Sequence, residues 1–192
     1  MNIHSQMTKK ETIINTAIKL FAEEGYENTS IQKLAEAAGV AQGLLYRHFK
    51  NKNDLLLHLL MLGMQQVQYT LKPYLDKELS FAEAFTEHIK RCTAHMKEHA
   101  KLWMVLHSVR QNASLMNSLG LAADPVQQVI KPIAAKLSKS GHKDAEMHAW
   151  AIFSLVDGIT ALYLTHPEVY PLEKFEKFLI TKAKEYEQAI NN

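Results

Sequence analysis

The chain has 192 residues, with 22 basic and 20 acidic side chains, 47% apolar residues, and only 7 glycines and 5 prolines. That balance excludes an intrinsically disordered chain. The single cysteine, Cys92, excludes an internal disulfide framework and a four-cysteine zinc site. A net charge of +2 leaves no overall basic footprint of the kind that nucleic-acid binding produces, so charge has to be read region by region.

Taken in chain order, the pattern is helical almost throughout, with no sustained period-2 alternation. Met1 to Gln6 leads into Thr8-Lys9-Lys10-Glu11 with no apolar run, so no signal peptide is expected. Ile14, Ala17, Ile18 and Phe21 share one helical face, and Gly25 stops that helix. Ile31, Leu34, Ala35 and Ala38 repeat the spacing, with Thr29 or Ser30 as cap and Gly39 as stop. A short third helix runs from Gln42 to Phe49. Lys50 to Asp54 is a polar break in which Asn53 is the expected cap, and a long fourth helix runs from Asp54 to Pro73. Breaks near Leu79-Ser80, His99-Ala100, Gly120 to Pro125, Ser138 to Lys143 and His166 to Pro171 bring the total to about nine helices. Pro132 should kink its helix or mark its end. The most apolar window, Ala149 to Thr165, carries Asp157 at its middle. It is shorter than the roughly 20 residues of a spanning helix, so it reads as a buried helix at a core or interface rather than a membrane segment.

The charge divides unevenly. Residues 1–52 hold seven basic and five acidic side chains, a net of +2, and residues 53–192 hold 15 of each. Within residues 28–52 the balance is +3, from Lys33, Arg47, Lys50 and Lys52 less Glu36. This basic segment is also a helix, a Gly-containing turn and a second helix, with Ala35 small where the helices cross and Val40, Leu45, Leu34 and Ile31 turned inward. That is a helix-turn-helix, whose second helix enters the major groove. Thr29 and Ser30, at a helix start, are placed to hold a phosphate. Gly43 lets the backbone come close to a duplex. Tyr46, His48 and Lys52 offer phosphate donors or charge, while Gln42, then Arg47, are the base-reading candidates.

Over about 45 residues the segment resembles the DNA-binding domain of the tetracycline-repressor (TetR) family of bacterial regulators. The resemblance rests on Ala17, Leu20, Phe21, Gly25, Tyr26, Thr29-Ser30-Ile31, Leu34-Ala35, Ala38-Gly39-Val40, Gly43, Leu45-Tyr46, His48-Phe49, Lys52 and Leu55. Three positions depart from it. Ala41-Gln42 stands where Ser and a basic residue are frequent, so Ala41 offers neither a cap nor a hydroxyl, and Leu44 stands where a small residue is common, free to meet a thymine methyl or to pack inward.

The resemblance implies an all-α protein that is not an enzyme. Residues 1–52 would be the helix-turn-helix DNA-binding domain, and residues 53–192 a helical ligand-binding and dimerisation domain. It implies a cytoplasmic homodimer, most simply a repressor, on a palindromic operator in duplex DNA, released by a small-molecule effector and needing no cofactor. The apolar helix over 145–165 and the last helix supply the expected dimer contacts, Trp150, Phe153, Ile159, Phe175 and Leu179. The expected effector is small and apolar or aromatic, walled by Met61, Met64, Phe85, Trp103, Met104, His107 and Met116. His88, Cys92, His95 and His99 share one helical face and raise the question of a metal, but a solvent-facing or dimer-facing stripe is the simpler expectation. The sequence holds no P-loop, Gly-x-Ser-x-Gly or Gly-x-Gly-x-x-Gly for catalysis. The competing reading is a helical small-molecule binding protein whose hairpin no longer functions on DNA.

Overall fold

The computed structural model describes residues 7–121 and 125–190, all helix and connecting turn. The N-terminal hexapeptide, the middle of the Gly120–Pro125 break and the side chain of Tyr186 lie outside the described residues. Ten helices follow in order: α1 (Lys9–Glu24), α2 (Ile31–Ala37), α3 (Gln42–His48), α4 (Lys52–Leu75), α5 (Phe81–Glu98), α6 (Ala100–Gln111), α7 (Ala113–Ser118), α8 (Val126–Lys139), α9 (Ala145–Thr165) and α10 (Leu172–Ile190). One more helix than expected arises at Asn112. Its side chain accepts from the Leu115 amide at 3.0 Å and starts α7, dividing what reads as one helix.

Helix starts follow local chemistry. Thr8 and Glu11 form a reciprocal capping box for α1, and Ser80 and Glu83 do the same for α5. α4 begins at Lys52 rather than Asp54, because Asn51 takes the capping role expected of Asn53: its Oδ1 accepts from the Asp54 amide at 2.8 Å. Pro73 and Pro132 both sit inside continuous helices. Proline has no N–H for the carbonyl four residues earlier, which for Pro73 is that of Tyr69. Arg91 fills that vacancy, donating to the Tyr69 carbonyl at 3.2 Å and lying 4.9 Å from the Tyr69 ring centre.

The chain packs as two units. The first comprises residues 1–63 and 101–121, the second residues 64–100 and 122–192. The packing therefore follows a different line from a boundary at residue 52. Leu102, Val105, Val109 and Leu115 share one buried core with Ile13, Ala17, Phe21, Leu34, Leu45, Phe49, Leu55, Leu56 and Leu59. Lys101 adds a surface ion pair to Glu23 at 2.6 Å. In the second unit α8 packs on α9 and α5 on α10, around Phe81, Phe85, Ile89, Met96, Ile130, Ile133, Leu137 and Ala149. Lys136, almost fully buried there, donates from Nζ to the Asp76 carbonyl at 2.7 Å and so caps the end of α4.

α9 is not a core helix of its own chain, which leaves the interface half of the expectation. It is 21 residues long, long and apolar enough to cross a membrane by length and composition alone, yet little of it is buried within this chain. Met147, Ala151, Ser154, Leu155, Gly158, Leu162 and Thr165 form one exposed stripe at helical spacing. Met147 is 70% and Leu162 50% exposed.

Candidate nucleic-acid interface

The helix-turn-helix is built from within. Leu34 and Ala35 of α2, Ala38 just after it, and Leu45 and Phe49 of the α3 segment are all buried. Gly39 takes φ 62° between them, a left-handed turn that a Cβ would strain. Burying Leu45 and Phe49 fixes the roll of α3, and its remaining residues face outward.

On that outer face Ala41, Gln42, Gly43, Tyr46, Arg47 and His48 are exposed, and Leu44 is half-buried at its edge. Among the described residues Arg47 makes no ion pair. A Cβ at Gly43 would meet nothing within 4 Å, so nothing inside the protein requires glycine there. Ala41 precedes α3 without a side-chain cap, as its chemistry dictates. Lys50, exposed just beyond α3 and also without an ion pair among the described residues, belongs with this set although the sequence reading passed over it. Its presence in the basic count of residues 28–52 was the available signal.

Of three further expected contacts, two are turned inward and Ser30 stays on the surface. Thr29 is fully buried, and its hydroxyl donates to the Gly25 carbonyl at 2.9 Å, so its side chain serves the turn and cannot meet a phosphate. Ser30 is exposed and is the actual cap of α2, accepting from the Lys33 amide at 3.1 Å with its own proton still free to donate outward. Lys52 points inward: its Nζ donates to the Tyr26 carbonyl at 2.9 Å and lies 4.1 Å from the centre of that ring.

The expected effector walls divide between the two units. Met61, Trp103, Met104, His107 and Met116 lie in the first unit, and Met64 and Phe85 in the second. Met61 is 63% exposed, Met116 packs against the core of the first unit, and Phe85 is buried beside the Phe81 ring. A cleft within the second unit is lined instead by Ile89, Cys92, Met96, Val156, Phe175 and Glu176, among others. Its empty space is about 250 Å³, open solvent included.

The histidine stripe is not a solvent face. His88 and Cys92 are buried. The Tyr74 hydroxyl and His88 Nδ1 share a hydrogen bond of 2.9 Å, and burial, with Arg91 adding to it, holds His88 down at about 4. Burial pushes the Cys92 thiol up to about 12, which keeps it protonated. His95 and His99 stack at 5.5 Å nearer the surface. No group of three or more His, Cys, Asp or Glu side chains is placed to hold a metal among the described residues.

Residues 13–59 match the family model for bacterial regulatory proteins of the tetR family. That stretch is about a quarter of the chain, and over it the chain is similar to the N-terminal region of those regulators. The uncharacterized HTH-type transcriptional regulator YerO of Bacillus subtilis is 51% identical over 49 residues, which is 26% of this chain and 17% of that protein. The fatty acid metabolism regulator protein of the same organism is 44% identical over 54 residues, 28% of each chain. This chain spans between 17% and 54% of the length of the first three curated relatives it matches. The crystal structure of the transcriptional regulator FadR from Bacillus subtilis, in complex with stearoyl-CoA, shares the fold. It has a TM-score of 0.73 at 20% identity, covering 91% of this chain and 97% of that one. The fold, an N-terminal helix-turn-helix followed by a helical C-terminal domain, is shared with that structure.

Proposed function

We propose that the chain is an effector-responsive repressor that binds a palindromic operator in duplex DNA as a homodimer. The observation that carries this reading is the outer face of α3. It is basic, exposed and held in place by Leu45 and Phe49 beneath it, and its Gly43 is sterically unnecessary to the protein itself. Arg47, Lys50, Tyr46 and the free hydroxyl of Ser30 are phosphate donors, and Gln42 is the side chain able to pair bidentately with adenine. The first unit holds nine basic and six acidic residues, a net of +3 against −1 for the second. A dimer would present that excess twice.

The second copy is supported by the stripe on α9. Exposed apolar surface of this extent is uncommon on a monomer, and the small residues Ala151, Ser154 and Gly158 between Met147, Leu155 and Leu162 suit close helix packing. Phe178 on α10, 54% exposed, extends the apolar contribution. Ile159 and Leu179, expected at the interface, are buried within their own chain and support it from beneath, while Trp150, Phe153 and Phe175 are half-buried. Asp157 within the same helix argues for a protein partner over a bilayer. Two recognition helices about 34 Å apart match successive major grooves, and this role belongs to the cytoplasm, where the chromosome is.

Effector response follows from continuity. α4 runs without a break through residues of both units, and only three residues separate it from α3. An effector favouring a different setting of α4 shifts the population away from the DNA-competent state. The effector classes to try are a small aromatic molecule, as the apolar lining of the cleft in the second unit suggests, and a long-chain acyl-CoA, the ligand in the FadR structure. The test is footprinting of the full chain on DNA upstream of its own coding sequence, alone and with naphthalene or stearoyl-CoA. A palindromic footprint released by either compound is the expected result. Absence of any footprint overturns the reading in favour of a ligand-binding protein without operator function.

A further inference from the structure

Building on the DNA-binding role proposed above, we propose that Lys52 acts on operator binding from inside the head. It is a positioning residue that clamps the exit of α3 to the turn between α1 and α2, rather than a phosphate contact. Its ammonium has three N–H donors. One goes to the Tyr26 carbonyl at 2.9 Å and a second is directed at the Glu27 carbonyl at 3.5 Å. The charge itself lies over the face of the Tyr26 ring, 4.1 Å from its centre.

Tyr26 is gripped from its other end too. It is buried, packs edge-on against Phe21 at 5.2 Å, and donates its hydroxyl to Asn53 Oδ1. Consecutive residues at the start of α4 therefore hold one tyrosine by its carbonyl, its face and its hydroxyl. The Tyr26 carbonyl also accepts from the Thr29 amide, closing the turn that leads into Ser30.

The clamp bears on α3 because the connector is short and closed. α3 ends at His48, and Phe49, Lys50 and Asn51 are all that separate it from Lys52. Phe49 is buried, Asp54 Oδ2 accepts from the Lys50 amide at 2.8 Å, and Asn51 caps α4. Fixing Lys52 on the α1–α2 turn thus fixes the direction in which α3 leaves the head. Reaching a phosphate would cost the ammonium its carbonyls and its ring, whereas Arg47 and Lys50 are exposed and have nothing to give up.

The test compares the full chain carrying Lys52→Met, Lys52→Arg or Tyr26→Phe with the unaltered protein. Affinities for operator and scrambled duplexes are measured by fluorescence anisotropy from about 50 to 200 mM KCl. Lys52→Met keeps the stem against Tyr26 but removes the charge, and Tyr26→Phe removes only the hydroxyl. Lys52→Met is expected to lower operator affinity about tenfold, leave scrambled-duplex affinity unchanged and leave both salt slopes at the unaltered value. Tyr26→Phe should move operator affinity in the same direction although no charge is lost, and Lys52→Arg should restore it. Thermal melts confirm that each variant is folded at the assay temperature. If Lys52→Met does not fold, Tyr26→Phe and Lys52→Arg decide. A salt slope reduced by about 0.9 on both duplexes for Lys52→Met, the mark of one lost phosphate contact, would overturn the proposal. So would unchanged operator affinity in Tyr26→Phe. Salt-independent or absent binding by the unaltered chain is a different result: it removes the DNA-binding reading itself and this role with it.

Discussion

Gly63 tests the packing that makes α6 part of the head. A Cβ built there would lie 2.4 Å from both terminal carbons of Leu106 and 2.7 Å from its Cγ. Carbon atoms meet comfortably at about 3.5–4.0 Å, so Leu106 must withdraw by about 1 Å. Because Cγ is also too close, a change of rotamer alone does not clear the contact. Leu102, buried one turn back on the same helix, and Val105, buried next to Leu106 in sequence, resist movement of α6 as a whole. Gly63→Ala therefore sets two effects against each other. Helix propensity favours alanine by about 1 kcal/mol, and overpacking costs about 1–3 kcal/mol. Overpacking should win, for a net loss of about 1 kcal/mol and a fall in Tm of roughly 2–4 °C. In a Leu106→Ala background the obstruction is gone, and the same change should instead stabilise by up to about 1 kcal/mol. The two substitutions should thus couple by about 2 kcal/mol in a double-mutant cycle read by urea denaturation. Simple additivity, or a stabilising Gly63→Ala in the unaltered background, would refute the close approach.

Three further outcomes are expected. His88 holds a folded value of about 4 against an ordinary 6.5, so as pH falls the unfolded chain takes up the proton first. Stability is full above about pH 6.5 and falls by about 3 kcal/mol as the pH approaches 4. Urea denaturation at pH 7, 5.5 and 4.5 checks this, and His88→Gln should flatten the acid limb. Gln42→Ala should relax preference at one base pair by about 1–3 kcal/mol while leaving the salt slope unchanged, and a binding-site selection that returns the same consensus counts against readout by Gln42. Leu162→Glu, placed on the exposed stripe of α9, should convert dimer to monomer in sedimentation velocity, whereas a dimer that persists unweakened moves the interface elsewhere.

The helical order and the reader were legible because they depend on local signals. Gly25 and Gly39 stop helices, Ser30 starts one, and Leu34 and Leu45 repeat at the spacing of a buried face. Which of two neighbours does a given job was not legible. Thr29 and Ser30 are chemically alike, but only the structure buries one and exposes the other. Asn51 and Asn53 both suit a cap, and the choice is settled by Tyr26, 25 residues or more away in sequence, which takes Asn53. Lys52 resembles any surface lysine until that same tyrosine is placed beneath it. On α9 nearly every position is apolar, so periodicity could not separate Ile159, turned into its own chain, from Leu162, turned out. The effector walls were the least legible, because a methionine or tryptophan suits a core as well as a cleft. The cleft is instead assembled from α5, α9 and α10, which lie far apart in sequence.

The central claim is that the outer face of α3 reads an operator. Its most direct measurement is the ratio of affinities for the operator and a scrambled duplex at about 150 mM salt, for the full chain and for the Gln42→Ala/Arg47→Ala variant. A ratio of about 10³ or more that collapses in the variant is the expected result. A ratio near one for the unaltered chain, or a ratio that the two substitutions leave intact, would contradict it.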